Sequence, residues 1–256
     1  MLRKVIHEIF INALIIIFSV FIALVAMGTY YYFKLPEQAI ITVPGNMFSA
    51  TELIEHLDDT SLHGLSVKRI IVEDKKEFFK YMWQEKKLYL DYSYIPYSTT
   101  DELLESRKTS VEQSLESELE AASSLEEYTI NHYANDYTEA EEVLAPLTWY
   151  MDYLGDSSTL LIMVSLIGMY ENKPWFNSDT KIAMTASMDA DGNVLPVGSV
   201  RLKTITAKSQ KADVLFVPKE QLDQTKRLFH HFWRPIKIIG VETIEETLDW
   251  LDENIQ

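Results

Sequence analysis

The chain has 256 residues, 47% of them hydrophobic and 12% aromatic, enough for one or two domains around a sizeable core. Its 39 acidic against 23 basic residues leave a net charge of −16, which argues against a nucleic-acid partner, because phosphate binding needs clustered Lys and Arg. It contains no cysteine, so disulfides and thiolate metal sites are excluded and the redox compartment is left open.

The first element is IFINALIIIFSVFIALVAMG, Ile9 to Gly28, an uncharged run of about 20 residues, enough helix to cross a hydrocarbon core of roughly 30 Å. Arg3 and Lys4 precede it, and TYYYFK follows as an aromatic interfacial belt. This flank pattern predicts a single-pass anchor over residues 1–35, with the N-terminus in the cytoplasm and the rest of the chain outside the cell membrane. A cleaved signal peptide is the alternative, although its apolar region is normally only about 7–15 residues.

Residues 36–147 read as an extracytoplasmic αβ region. AIITV is a short β-type run, PGN a turn, and SATELIEHL a helix start with Ser49 or Thr51 available as cap. LSVKRIIVED, Leu65 to Asp74, and KLYLDYSYIPY, Lys87 to Tyr97, alternate as strands do. From Thr100 the composition shifts to a stretch free of Gly and Pro, with leucines at helical spacing and many carboxylates. It reads as a solvated amphipathic helix.

Residues 148–256 alternate regularly. STLLIMVSLIGMY is an apolar helix, and KIAMTASMDADGNVLPVG a strand, turn and second strand, with DADGN supplying the turn chemistry. DADGN resembles the start of a calcium loop but lacks the acidic residue at the loop's end. SVRLKTITAKSQ is a helix, DVLFV a buried strand, KEQLDQTKRLFHHF a helix, IKIIGV a strand and ETIEETLDWLDENI a closing helix. Helices alternate with strands around one inserted hairpin, so the class is α+β or α/β, and we take α+β.

No metal-ligand set, phosphate loop or dinucleotide motif is present, and no cofactor or metal is expected. The pair His230–His231, amid Phe and Trp on a predicted helix, reads as packing rather than metal binding. What remains is a serine at a helix start, in GDSST, and a lysine in a later helix. A serine nucleophile needs a base, and a buried lysine can serve because desolvation lowers its pKa. First-turn amides of a helix can stabilise an oxyanion formed beside such a serine. The plain structural reading stands beside this one: Asp156 or Ser157 as a helix N-cap, and Lys203 as one of many helix lysines.

The stretch KIAMTASMDADGNVLPVGSVRLKTITAKSQKADVLFVPKEQ, Lys181 to Gln221, resembles the proteolytic domain of the Lon protease family. TASM, DGNVLPVGS, VRLKTITAK and LFVP stand where that family has its strand end, hairpin, lysine-bearing helix and following strand. The resemblance places the family's catalytic lysine on Lys203 and its nucleophile on Ser157, in GDSST where the family has G-P-S-A-G. It covers roughly Tyr153 to Leu251. With the anchor, it implies a membrane-anchored, ATP-independent Lon-like serine endopeptidase of Gram-positive type, shortened by the absence of a PDZ pattern. Its partners would be unfolded or short exported peptides and the membrane, and a homo-oligomer is compatible with the family. Asp156, Ser158, Thr159 and Ser199 depart from the family's Pro, Ala, Gly and Gly, so the same resemblance admits a catalytically inactive, peptide- or partner-binding envelope protein. Side chains at Thr159 and Ser199 are expected to crowd a substrate strand or alter the oxyanion hole, and a carboxylate at Asp156 to favour protonated lysine.

Overall fold

A computed structural model describes residues 2–34, 38–55, 59–77, 93–97, 100–133, 142–145, 147, 156–227 and 236–255. Helix α1, Leu2–Lys34, includes an apolar stretch, Phe10–Tyr30, long enough to cross a membrane. The large side chains of Phe10–Tyr30 are exposed. Length and composition are those that a membrane anchor or a signal sequence has.

Among the described residues, the remainder is built on a six-stranded mixed sheet of order β3-β1-β2-β4-β7-β8. The strands are β1, Gln38–Ser49; β2, Leu62–Val72; β3, Ser93–Tyr97; β4, Ile182–Met184; β7, Val214–Pro218; and β8, Lys237–Val241. Pairing is antiparallel among β3, β1 and β2 and parallel from β2 through β4 and β7 to β8. The β2–β4 ladder, from Leu62 against Ile182 to Gly64 against Met184, makes the sheet continuous across the boundary expected at residue 147. Pro96 lies in β3, at the sheet's edge, where a missing backbone donor is tolerated.

Two expectations near the start are corrected. The PGN segment is no turn: β1 runs through it, with its register against β2 shifting between Pro44 and Met47. Side chains repair the ladder there. Ser66 Oγ accepts the Asn46 N–H and donates to the Asn46 carbonyl, and Gln210 accepts the Met47 N–H and donates to the Gly45 carbonyl. SATELIEHL is also not a full helix. It makes one 3₁₀ turn, Ala50–Glu52, with Ser49 and Glu52 in a reciprocal capping box. Leu53 and Ile54 then turn into the core, and Ile54 pairs with Leu147, which draws the backbone out of helical geometry.

Helix α2, Thr100–His132, is the expected acidic helix. Its C-terminal half buries Ala121, Leu125, Tyr128 and Thr129, whereas Leu104, Val111, Leu115 and Leu119 are exposed. Helix α3, Thr159–Tyr170, buries every residue from Thr159 to Gly168, each large aliphatic one contributing about 1.5–3 kcal/mol. Gly168 is required by close approach, because a Cβ there would lie 2.6 Å from the Phe176 ring and 2.8 Å from that of Trp175. Helix α6, Ile244–Asn254, is capped by Thr243, whose hydroxyl accepts the Glu246 N–H. Together α3, α6 and the inner end of α2 fill one face of the sheet, with Ile182, Met184, Val214 and Phe216 pointing to them.

The opposite face holds a smaller core of Leu65, Ala183, Leu215 and Val217 against Val200 and Ala207 of helix α4, Val200–Ser209. The predicted hairpin is present as β5, Ser187–Met188, and β6, Val194–Leu195. Asp189 organises its turn by accepting the Asp191 and Asn193 backbone N–H groups, and Gly192 takes φ of +82°. The described part of the KEQLDQTKRLFHHF segment is a 3₁₀ turn, Lys219–Gln221, and a helix α5, Leu222–Arg227. His230 and His231 lie outside the described residues, as does the Lys87–Tyr92 part of the expected strand.

Candidate active site

The serine turn and the lysine helix approach each other at the end of β4. Asp156–Ser158 form a 3₁₀ turn that leads directly into α3. This turn is stitched to the strand beneath it: the Ala186 N–H donates to the Ser157 carbonyl at 3.1 Å. The Thr159 hydroxyl donates to the Asp156 carbonyl at 2.9 Å. Thr159 is 1% exposed. Its side chain is therefore held inward, and the expectation that it crowds a substrate strand is not met.

The cap reading of this turn also fails. The helix N-cap is Ser158, at φ −107° and ψ −5°, and it makes no side-chain cap bond. Ser157 has a different partner, Lys203.

Lys203 comes from α4, which opens after the VLPVGS loop. The Gln221 side chain holds that loop by accepting the Val197 N–H and donating to the Val197 carbonyl. Ser199 stands at the helix N-cap with φ of +56°, a left-handed conformation that glycine adopts at little cost. Its side chain is exposed. The helical period then sets Lys203 on the sheet-facing side, between Val200 and Ala207.

Lys203 Nζ lies 2.6 Å from Ser157 Oγ, and Lys203 is only 6% exposed. Burial pushes its pKa down from the ordinary 10.5 to about 8, and the negative charge of Asp156 opposes that shift. Desolvation wins because an ammonium taken out of water loses more than one nearby carboxylate returns. The resulting amine is neutral in a useful fraction near neutral pH and sits within hydrogen-bond reach of a hydroxyl.

Two residues had no functional reading from sequence. Thr185 follows β4, and its N–H donates to the Phe216 carbonyl, continuing the ladder with β7. Strand alternation puts it on the side of Ala183, the face that packs α4. Its hydroxyl is buried and has no hydrogen-bond partner among the described residues. Ser117, on α2, accepts the Asp156 N–H at 3.1 Å. TASM is part of the motif that carries Thr185, whereas nothing in the acidic stretch singles out Ser117.

Part of the chain is similar to known proteases. Residues 152–252 match the Lon protease (S16) C-terminal proteolytic domain. Over 100 residues the chain is 32% identical to the archaeal Lon protease of Archaeoglobus fulgidus, covering 39% of this chain and 16% of that protein. It is 35% identical over 94 residues to the archaeal Lon protease of Thermoplasma volcanium, covering 37% and 14%. With the Lon protease of Koribacter versatilis it shares 29% over 96 residues, covering 37% and 11%. The match supports a Lon-type proteolytic domain over this segment, and the chain spans less than a fifth of the length of each of these relatives.

Proposed function

We propose that this protein is a membrane-anchored serine endopeptidase in which Ser157 is the nucleophile and Lys203 the general base. The observation that carries the reading is the 2.6 Å approach of a buried lysine amine to the Ser157 hydroxyl. Neutral Lys203 takes the proton from Ser157 Oγ as that oxygen attacks a peptide carbonyl. The tetrahedral oxyanion is stabilised by first-turn amides, which helix geometry leaves without intrahelical partners. As the C–N bond breaks, Lys203 passes its proton to the leaving amine, which leaves an acyl ester on Ser157. Lys203 then takes a proton from water as the water oxygen attacks the ester carbonyl, and returns it to Ser157 Oγ as the acyl–oxygen bond breaks and the carboxylic acid leaves. With a pKa of about 8, roughly a tenth of the lysine is in the neutral form at pH 7.

The apolar helix α1 supports anchoring, and the basic residues before it support a cytoplasmic N-terminus with the peptidase outside. The substrates in this reading are unfolded or short exported peptides, cut without ATP.

The test is turnover of a fluorogenic library of unstructured peptides by the full chain in nanodiscs. Cleavage should vanish in Ser157→Ala and in Lys203→Met. Peptide binding without cleavage by the unaltered chain, from about pH 6 to 10, would overturn the enzyme reading in favour of a peptide-binding domain.

A further inference from the structure

We propose that Ser117 of α2 is a positioning residue of the peptidase: its hydroxyl holds the Asp156 amide and so sets the turn on which Ser157 meets Lys203. The inference rests on the peptidase reading above and extends the working site to a helix outside the segment that matches the Lon domain.

The nucleophile turn is fastened on two sides. From below, the Ala186 N–H donates to the Ser157 carbonyl. From α2, Ser117 Oγ accepts the N–H of Asp156, the residue before the nucleophile. The second fastening is only as rigid as α2, and α2 is well seated just beyond it. Ala121, Leu125, Tyr128 and Thr129 are buried, and the Thr129 hydroxyl donates to the Leu125 carbonyl. The Tyr128 hydroxyl donates to Glu245 at the start of α6, and its ring stacks on His132. Ser117 lies one turn before Ala121, on the same side of the helix, so packing of the inner half delivers its hydroxyl to the loop.

An amide N–H in a 3₁₀ first turn has no intrahelical acceptor, and Ser117 supplies one. That bond takes the Asp156 N–H out of competition for an oxyanion and leaves the role to the amides after it. It also fixes the backbone on which the 2.6 Å Ser157–Lys203 contact depends. Loss of a single restraint of this kind displaces the nucleophile by a fraction of an ångström. A displacement of about 1 Å is enough to cost on the order of a hundredfold in rate.

The experiment uses the full chain in nanodiscs, with Ser117→Ala and the conservative Ser117→Thr. Three readouts are taken: peptide kcat and KM, the rate of Ser157 labelling by a fluorophosphonate, and hydrogen exchange of the segment containing residues 156–158. Ser117→Ala should lower kcat and labelling about tenfold with KM nearly unchanged, speed exchange of that segment, and leave the melting temperature close to that of the unaltered chain. Ser117→Thr should restore most of the rate. Unchanged exchange and unchanged labelling in Ser117→Ala would overturn the proposal while leaving the peptidase reading intact. So would a loss that follows the melting temperature and is not recovered by threonine. An unaltered chain that neither labels nor cleaves, but whose exchange at 156–158 still responds to Ser117→Ala, would refute catalysis and reduce Ser117 to a structural fastening.

Discussion

Lys203 Nζ and Ser157 Oγ, 46 positions apart in the chain, stand 2.6 Å from each other, with the lysine almost wholly buried. A charged lysine is out of place there and a neutral one is not, and a pH dependence follows. Activity should rise with pH through about 8 and level off above it, since only the deprotonated amine can accept the serine proton. Asp156 holds the proton on, so Asp156→Asn should move the rising limb to lower pH and raise turnover at pH 7. The pH profiles of kcat/KM for the two proteins check this, and an Asn variant whose limb moves upward would contradict it.

Removing the amine should stabilise the protein that it disables. The folded-state pKa lies below the unfolded one, so between about pH 8 and 10.5 the unfolded chain binds more protons. The lysine's contribution to stability therefore rises through that window and is least favourable below it, where a charge is buried. Lys203→Met should abolish cleavage and gain up to about 3 kcal/mol at pH 7, the gain shrinking toward pH 10. Denaturant titrations at the two pH values measure it.

Thr185 carries a buried hydroxyl with no partner among the described residues, on the sheet face that packs the lysine helix. An orphaned hydroxyl costs about 1–3 kcal/mol, and valine of the same shape removes it. Thr185→Val should raise the melting temperature and lower kcat, because a polar group kept at a cost in stability acts on the reacting state. A variant that gains stability with full activity would assign the hydroxyl no role.

Ser199 holds a left-handed φ of +56° with an exposed side chain. Ser199→Gly removes roughly 1 kcal/mol of strain and adds a smaller entropy to the unfolded chain, so it should be neutral to mildly stabilising with activity retained. Ser199→Val should lose about 1–2 kcal/mol, since a β-branched residue is poorly accommodated there. Thermal unfolding of both variants gives the comparison.

Much of the architecture was legible from local pattern. The apolar run that forms α1, the Gly- and Pro-free acidic helix α2, the Asp189–Asn193 turn, the buried strand β7 and the capped helix α6 each carry their signal within a few residues. Errors fell where distant groups intervene. PGN reads as a turn, but Ser66 and Gln210, from β2 and the end of α4, satisfy its backbone and let β1 continue. SATELIEHL reads as a helix, but burial of Leu53 and Ile54 and the bridge to Leu147 stop it after one turn.

The sequence by itself determined the residue types of the site: a serine at a helix start, a lysine in a later helix, and a hairpin between them. It left open whether Ser157 caps a helix or faces a base, because capping and catalysis ask for the same small hydroxyl residue at the same place. Only the tertiary structure decided that. It folds α3 and α4 onto opposite faces of one sheet, brings their starts together beyond the end of β4, and buries Lys203 enough to lower its proton affinity. It also brought Ser117 to the nucleophile turn, a contact between segments 39 residues apart. No local pattern encodes such a contact, because it depends on how α2 packs rather than on what surrounds Ser117 in the chain.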